Sequence, residues 1–320
     1  MAVRGLLAFI CAGFAQGRLP ACLHANLPPR TGAHARLVPV CGEGRRPLEC
    51  WPAKISKGNM IQGMIARLTL ACGVLASAFA ANLAHADACP AHYVDGRKPE
   101  ITNPKLDVAT KELCYNVFGV MHSGITRTPL WSAEHLTANN LEAAQDLSRE
   151  NSFHAERKLP AAQRAELADY ARSGFDRGHM APNGDMPDRQ SQRDSFTLAN
   201  MVPQDARNNR YVWAGIEGAV RKMAKKEGDL YVITGPAFIG GNLRKVGRVI
   251  VPSHLYKAVY SPRQRAGAAY FIENVDTKTY EVLSIAQLED RIGIDLLPSL
   301  TRQQKLRMLS LPKVKSKSKK

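Results

Sequence analysis

Residues 60–86 read MIQGMIARLTLACGVLASAFAANLAHA, and this segment decides which part of the chain is left to fold. Arg67 precedes an apolar run from Leu68 to Ala81, and the segment closes on Ala84-His85-Ala86. A basic start, an apolar stretch too short for a bilayer and a small-x-small exit are the layout of a secretory signal peptide. A buried alanine-rich helix is the alternative, yet such a helix needs neither the upstream cation nor the Ala-x-Ala exit. The signal reading makes 87–320 the exported chain, in the periplasm or outside the cell, with no stable membrane association once the signal is cut.

Residues 1–59 carry eight Lys/Arg against only Glu43 and Glu49, with many Pro and Gly and no periodicity. That composition suits an organellar transit peptide. It equally suits a stretch upstream of a translation start at Met60 or Met64, in which case it is disordered or never made. A signal peptide works at a terminus, so the second reading is favoured and mitochondrial targeting is the weaker expectation.

Trimming changes what the charge and the cysteines mean. The whole chain of 320 residues has 44 Lys+Arg, 28 Asp+Glu, a net charge of +16 and 7 Cys. Beyond residue 86 there remain 35 basic and 26 acidic residues, a net of +9, and only Cys89 and Cys114. In an exported chain such a pair is most simply one disulfide, and two buried free thiols are the alternative. The terminal nine residues, PKVKSKSKK, hold five Lys, so the domain before them keeps only +4. This tail at 312–320 is expected to be a solvated, disordered end that adds to any polyanion affinity.

The stretch 87–311 reads as one α+β domain, without repeats or a long linker. Helices are expected over 160–173, ended by Gly174, and over 209–226, ended by Gly228. Strands are expected at 115–121, 230–234, 249–260 with a break at Pro252, and 268–275, forming hairpins of a mixed or mostly antiparallel sheet.

The most polar block, GFDRGHMAPNGDM at 174–186, places His179 between small residues on a backbone kept irregular by Gly, Pro and Asn. A general base needs a pKa near the working pH and a rigid, accessible mount, and His179 meets both demands. In the second block, Asn209, Trp213, Glu217 and Arg221 recur every four residues, so their side chains share one broad helix face. An amide oxygen, a carboxylate and a guanidinium on one face suit a hydrated divalent cation beside a phosphate. They also suit an exposed helix with Asn209 as its cap and Glu217-Arg221 as a surface pair.

Together the blocks resemble the DNA/RNA non-specific endonuclease family, which includes the Serratia-type secreted nuclease and mitochondrial endonuclease G. The matching residues are Asp176-Arg177-Gly178-His179, Asn200-Met201-Val202-Pro203-Gln204, and Asn209, Trp213, Glu217, Arg221. Weaker likeness runs from Arg127 to Trp131 through Thr234-Gly235-Pro236 to Tyr256-Lys257. The resemblance implies a ββα-metal (His-Me finger) fold with one Mg2+, replaceable by Mn2+. By position, His179 would be the general base, Asn209 the direct metal ligand, and Glu217 the holder of the metal's waters. Arg177 and Arg221 would neutralise the phosphate, while Asp176 and Asn200 would brace the loop. Where many relatives have Ser-Asn, this chain has Ala199-Asn200. A further substrate-contacting Arg of some relatives finds no counterpart upstream, where His135 occupies the expected region.

The expected activity is hydrolysis of DNA and RNA to 5′-phosphate ends by a secreted or periplasmic enzyme, with a homodimer among the assemblies allowed. Two other classes stay open. One is a metal-dependent phosphodiesterase for small nucleotides, and the other a non-catalytic polyanion binder.

Overall fold

The computed structural model describes residues 89–314. The extension at 1–59, the signal segment at 60–86 and the last six residues of the basic tail lie outside the described residues.

In chain order, the strands that build and position the site are β1 (Thr110–Cys114), β2 (Phe118–Ser123), β3 (Thr128–Thr137), β4 (Phe175–His179), β5 (Met201–Asp205), β6 (Asp229–Ala237), β7 (His254–Ser261), β8 (Ala266–Glu273) and β9 (Glu281–Ser284). Seven of them form one sheet in the order β9-β8-β7-β6-β3-β2-β1, with every neighbouring pair antiparallel. β4 and β5 form a separate antiparallel pair. The α+β expectation with an antiparallel central sheet therefore holds. The helices are α1 (Ala138–Ala143), α2 (Arg189–Ser195), α3 (Ala214–Glu227) and α4 (Ile285–Ile292).

The sheet separates two cores, and β7 shows how its sequence does so. Leu255 and Val259 enter the core that holds Trp213, Ile216 and Val220, whereas Tyr256, Ala258 and Tyr260 enter the one that holds Trp131, Leu288 and Ile292. That is the period of two expected of a strand covered on both faces. α3 thus lies over one face and α4 over the other. Gly228 ends α3 at φ 95°, a conformation that glycine adopts without the cost of a Cβ.

Two expectations change. The helix expected over 160–173 shrinks to Leu167–Tyr170. Glu166 caps it together with Asp169, and Ala171 ends it by turning to extended backbone at ψ 127°. Asp169 is also held by Arg248 at 2.9 Å, so tertiary ion pairing shapes the segment more than its alanines do. The strand 249–260 is split into Val249–Ile250 and β7, with Pro252 in the break as expected. At the other end, Tyr270 donates to the Pro312 carbonyl at 2.6 Å, and the Val314 amide donates to Tyr280 at 2.8 Å. Contacts with the domain therefore run three residues past the expected boundary at 311. Cys89 and Cys114 form the disulfide, tying the first turn of the described chain to β1.

Candidate active site

The β4-β5 pair aligns His179 with Met201, Gly178 with Val202, Arg177 with Pro203 and Asp176 with Gln204. Gly178 is there because any Cβ would stand 2.0 Å from the Gln204 Oε1. His179 follows at the strand end, only 8% exposed. Its ring packs 5.0 Å from Phe196 and 5.7 Å from Phe153, between ring centroids. Its Nε2 has no hydrogen-bond partner among the described residues. Burial, and then the charges of Arg149 and Arg177, lower its pKa to about 3. The imidazole is therefore neutral at any ordinary working pH, and in the free protein it is not poised near that pH as the sequence suggested.

This has a stability consequence whose sign is fixed. The unfolded histidine takes up a proton below its ordinary value of 6.5, whereas the folded one does not until about 3. Folding stability is therefore fully present above pH 6.5 and falls as pH drops toward 3. Between pH 7 and pH 5 the loss assigned to His179 is about 2 kcal/mol. Urea unfolding of the wild type and of His179→Gln at both pH values checks this, since the other titrating groups cancel in the difference. Equal losses in the two proteins would contradict the buried neutral imidazole.

Opposite His179 stands the start of the long helix. A π-helical turn over Asn208–Trp213 leads directly into α3. Four-residue spacing on a regular helix puts Asn209, Trp213, Glu217 and Arg221 on one face, but the wider turn changes this. Asn209, Glu217 and Arg221 face the cleft, while Trp213 is fully buried in the core. The Asp176 Oδ2 accepts from the Asn209 Nδ2 at 2.9 Å, and Arg210 grips both carboxylate oxygens at 2.8 and 2.6 Å. An ionised carboxylate only accepts, so the amide of Asn209 is turned with its NH2 to Asp176 and its Oδ1 left over. Arg221 is fixed from behind by Asp185, 2.7 Å away and 5% exposed.

A cavity of about 400 Å³ has Arg177, His179, Asn209, Glu217 and Arg221 on its wall. Five residues singled out from the sequence thus share one space. Asn200 lies elsewhere, fully buried beneath the site. Its side chain accepts from Ser132 and the Ala181 amide and donates to the Ala181 and Ser195 carbonyls, at 2.8 to 2.9 Å. The oxygens at the helix, Asn209 Oδ1 and the Glu217 carboxylate, are hard donors suited to Mg2+ or Mn2+. Burial raises the pKa of Glu217 against the pull of Arg221 and Lys257, and a nearby cation would reverse that penalty. The donor set therefore fits a divalent cation.

Three groups at or behind the site had no signal in the sequence. Arg149 lines the cavity from an irregular stretch, its guanidinium carbon 5.0 Å from the Phe196 ring centroid. Asp185 is the partner of Arg221, and Glu134 is a buried carboxyl whose pKa is raised first by burial and then by Asp185. His135 does not fill the place of the missing upstream arginine. It pairs with Asp229 at 2.9 Å and stacks on Tyr231 at 4.2 Å, away from the cavity. Arg149, also upstream of β4, does line the cavity.

Known proteins resemble this chain in sequence and fold. A sequence model of the DNA/RNA non-specific endonuclease family matches residues 98–303. Nuclease C1 of Cunninghamella echinulata var. echinulata is 40% identical over 171 residues, 48% of this chain and 68% of that protein. The mitochondrial nuclease of Saccharomyces cerevisiae is 32% identical over 209 residues, 56% of this chain and 63% of its own length. The alignments thus span about two thirds of these relatives. A crystal structure described as the EndoG/EndoGI complex, showing the mechanism of EndoG inhibition, superposes with a TM-score of 0.52 at 25% identity, over 60% of this chain and 88% of that chain. With the family match extending over well over half its length, this chain belongs to the DNA/RNA non-specific endonuclease family, whose members are hydrolytic nucleases.

Proposed function

We propose that this protein is a sugar-nonspecific endonuclease that hydrolyses DNA and RNA phosphodiester bonds, leaving 5′-phosphate ends, with Mg2+ as its natural cation and Mn2+ as a substitute. The observation that carries the reading is a buried, neutral imidazole that shares one cavity with an amide and a carboxylate, walled by Arg149, Arg177 and Arg221. In this reading His179 takes a proton from the attacking water. Arg177 and Arg221 bind and neutralise the phosphate, and a guanidinium does this better than an ammonium because its planar fork meets two oxygens. Incoming phosphate also offsets the Arg149 and Arg177 charges that hold the His179 pKa down, which makes it a stronger base when substrate is bound. Asn209 would hold the cation directly and Glu217 through water, with Asp176 setting the amide and Asn200 bracing the hairpin. The cation, when bound, supplies charge stabilisation for the leaving 3′-oxygen.

For location we favour an oxidising compartment outside the cytosol, which the Cys89-Cys114 disulfide supports. The relatives named mitochondrial weigh toward an organelle, while the pattern at 60–86 weighs toward export. No helix among the described residues is long and apolar enough to cross a membrane.

Incubating the purified protein with circular duplex DNA, single-stranded DNA and RNA tests the activity. All three should be degraded in Mg2+ and remain intact in EDTA. Polymers left intact in Mg2+ would contradict the nuclease reading, and salt-sensitive binding alone would favour the polyanion binder instead.

A further inference from the structure

Beside the catalytic cavity opens a second, of about 650 Å³, which shares Arg149, Arg177 and Asn209 with it. The rest of its wall comes mainly from the segment 167–177 and Arg210. Tyr170 lies on this wall, 6% exposed, and its hydroxyl is buried with no hydrogen-bond partner among the described residues. A buried hydroxyl without a partner is uncommon, because it has given up water and gained nothing in return. Arg172, two residues on, is exposed on the same wall and has no ion-pair or hydrogen-bond partner among the described residues. Its backbone sits at φ 54°, a region that L residues avoid unless the surroundings impose it. Asp176 is the one carboxylate on the wall, and both its oxygens are already engaged by Arg210 and Asn209. Apart from Arg177, which the first cavity shares, the unengaged polar groups are thus a hydroxyl and a cation.

We infer that this cavity is a second phosphate subsite, which holds the phosphodiester group of a neighbouring nucleotide of the same strand while the first cavity holds the bond to be cut. Arg172 supplies the charge, and the Tyr170 hydroxyl donates to a phosphate oxygen. A base-stacking pocket is disfavoured because the aromatic faces are already covered: the Arg177 guanidinium lies 3.9 Å from the Phe153 centroid, and that of Arg244 lies 5.2 Å from Phe175. The shared wall gives the strand a continuous path between the two cavities. This subsite rests on the nuclease reading above, and its test separates the two.

The test compares wild type, Arg172→Gln and Tyr170→Phe on a single-stranded DNA 20-mer and on bis(p-nitrophenyl) phosphate, which carries one phosphodiester and no neighbour. Arg172→Gln should raise KM for the 20-mer about tenfold, leave turnover of the small ester at the wild-type rate, and reduce the salt slope of 20-mer binding by about 0.7. Tyr170→Phe should raise KM for the 20-mer about threefold while leaving the thermal midpoint unchanged or higher, since the hydroxyl has no partner to lose. Equal losses on both substrates, or an unchanged 20-mer KM and salt slope, would overturn the subsite. Anisotropy of a labelled 20-mer in EDTA reads the Arg172 effect without cleavage. If the wild type cleaved neither substrate, the nuclease reading would fail, while this binding comparison still decided the subsite.

Discussion

Replacing His179 with alanine is expected to lower kcat on duplex DNA by about 10²- to 10⁴-fold, the range that a positioned general base contributes. Read as kcat/KM, which reports the free enzyme, the loss should be nearly uniform from pH 5 to pH 8, because burial and two neighbouring guanidiniums keep the unliganded imidazole neutral throughout that window. Were His179 an ordinary histidine, part of the wild-type rate would already be lost on the acid side of 6.5 and the two profiles would converge there. Fold loss does not imitate this result. The Nε2 has no hydrogen-bond partner among the described residues to be orphaned by the change, and His179→Gln fills most of the space between Phe153 and Phe196 without supplying a base. Both variants should therefore keep the wild-type circular dichroism and lose activity together. An alanine variant within threefold of wild type would remove His179 from the reaction.

The residues found from the sequence share one property: each sits at a fixed offset on a regular element or at its end. His179 ends β4, and Glu217 and Arg221 lie four apart on α3, so local period carries these two to the same cleft, which Asn209 reaches from the wider turn before them. Arg149 comes from an irregular segment and Asp185 from a single 3-10 turn, and nothing short of the assembled fold says that one reaches the Phe196 ring and the other Arg221. Glu134 was hidden for a different reason. In β3 it lies among apolar neighbours, and its burial beside Asp185 and Lys257 is a property of three strands and a loop, not of its own sequence. The stretch 160–173 has helical composition but follows its ion pairs to Arg248 instead. Spacing alone assigns Trp213 both to the apolar stripe with Ile216 and Val220 and to the polar face with Asn209, and because the turn that carries Asn209 is wider than 3.6 residues, it stays with the apolar stripe. That wider turn is what lets a buried tryptophan anchor the helix while Asn209, four residues earlier, still faces the cleft.

Asn209→Ala is expected to weaken divalent cation binding by about 100-fold or more, and Asp176→Asn by about 10- to 100-fold, although Asp176 is offered as no ligand at all. The reason is the 2.9 Å hydrogen bond by which the Asp176 carboxylate accepts from the Asn209 NH2. With an acceptor-only partner on that side, the amide has one stable rotamer, and its Oδ1 is committed to the cleft. An asparagine at 176 can face Asn209 with either end of its own amide, and the commitment is lost. Calorimetric titration with Mn2+ reads the affinity directly, without turnover. Because both residues act through one oxygen, adding Asp176→Asn to the Asn209→Ala protein should cost little more, so the double change falls well short of the product of the singles. Arg210 needs a separate check, since it also binds Asp176 and is set free when the carboxylate goes. Arg210→Gln alone should leave Mn2+ affinity close to wild type, because the carboxylate stays to hold the amide. Full multiplicativity in the double variant would instead mean that Asp176 acts on the cation through its own charge, independently of Asn209.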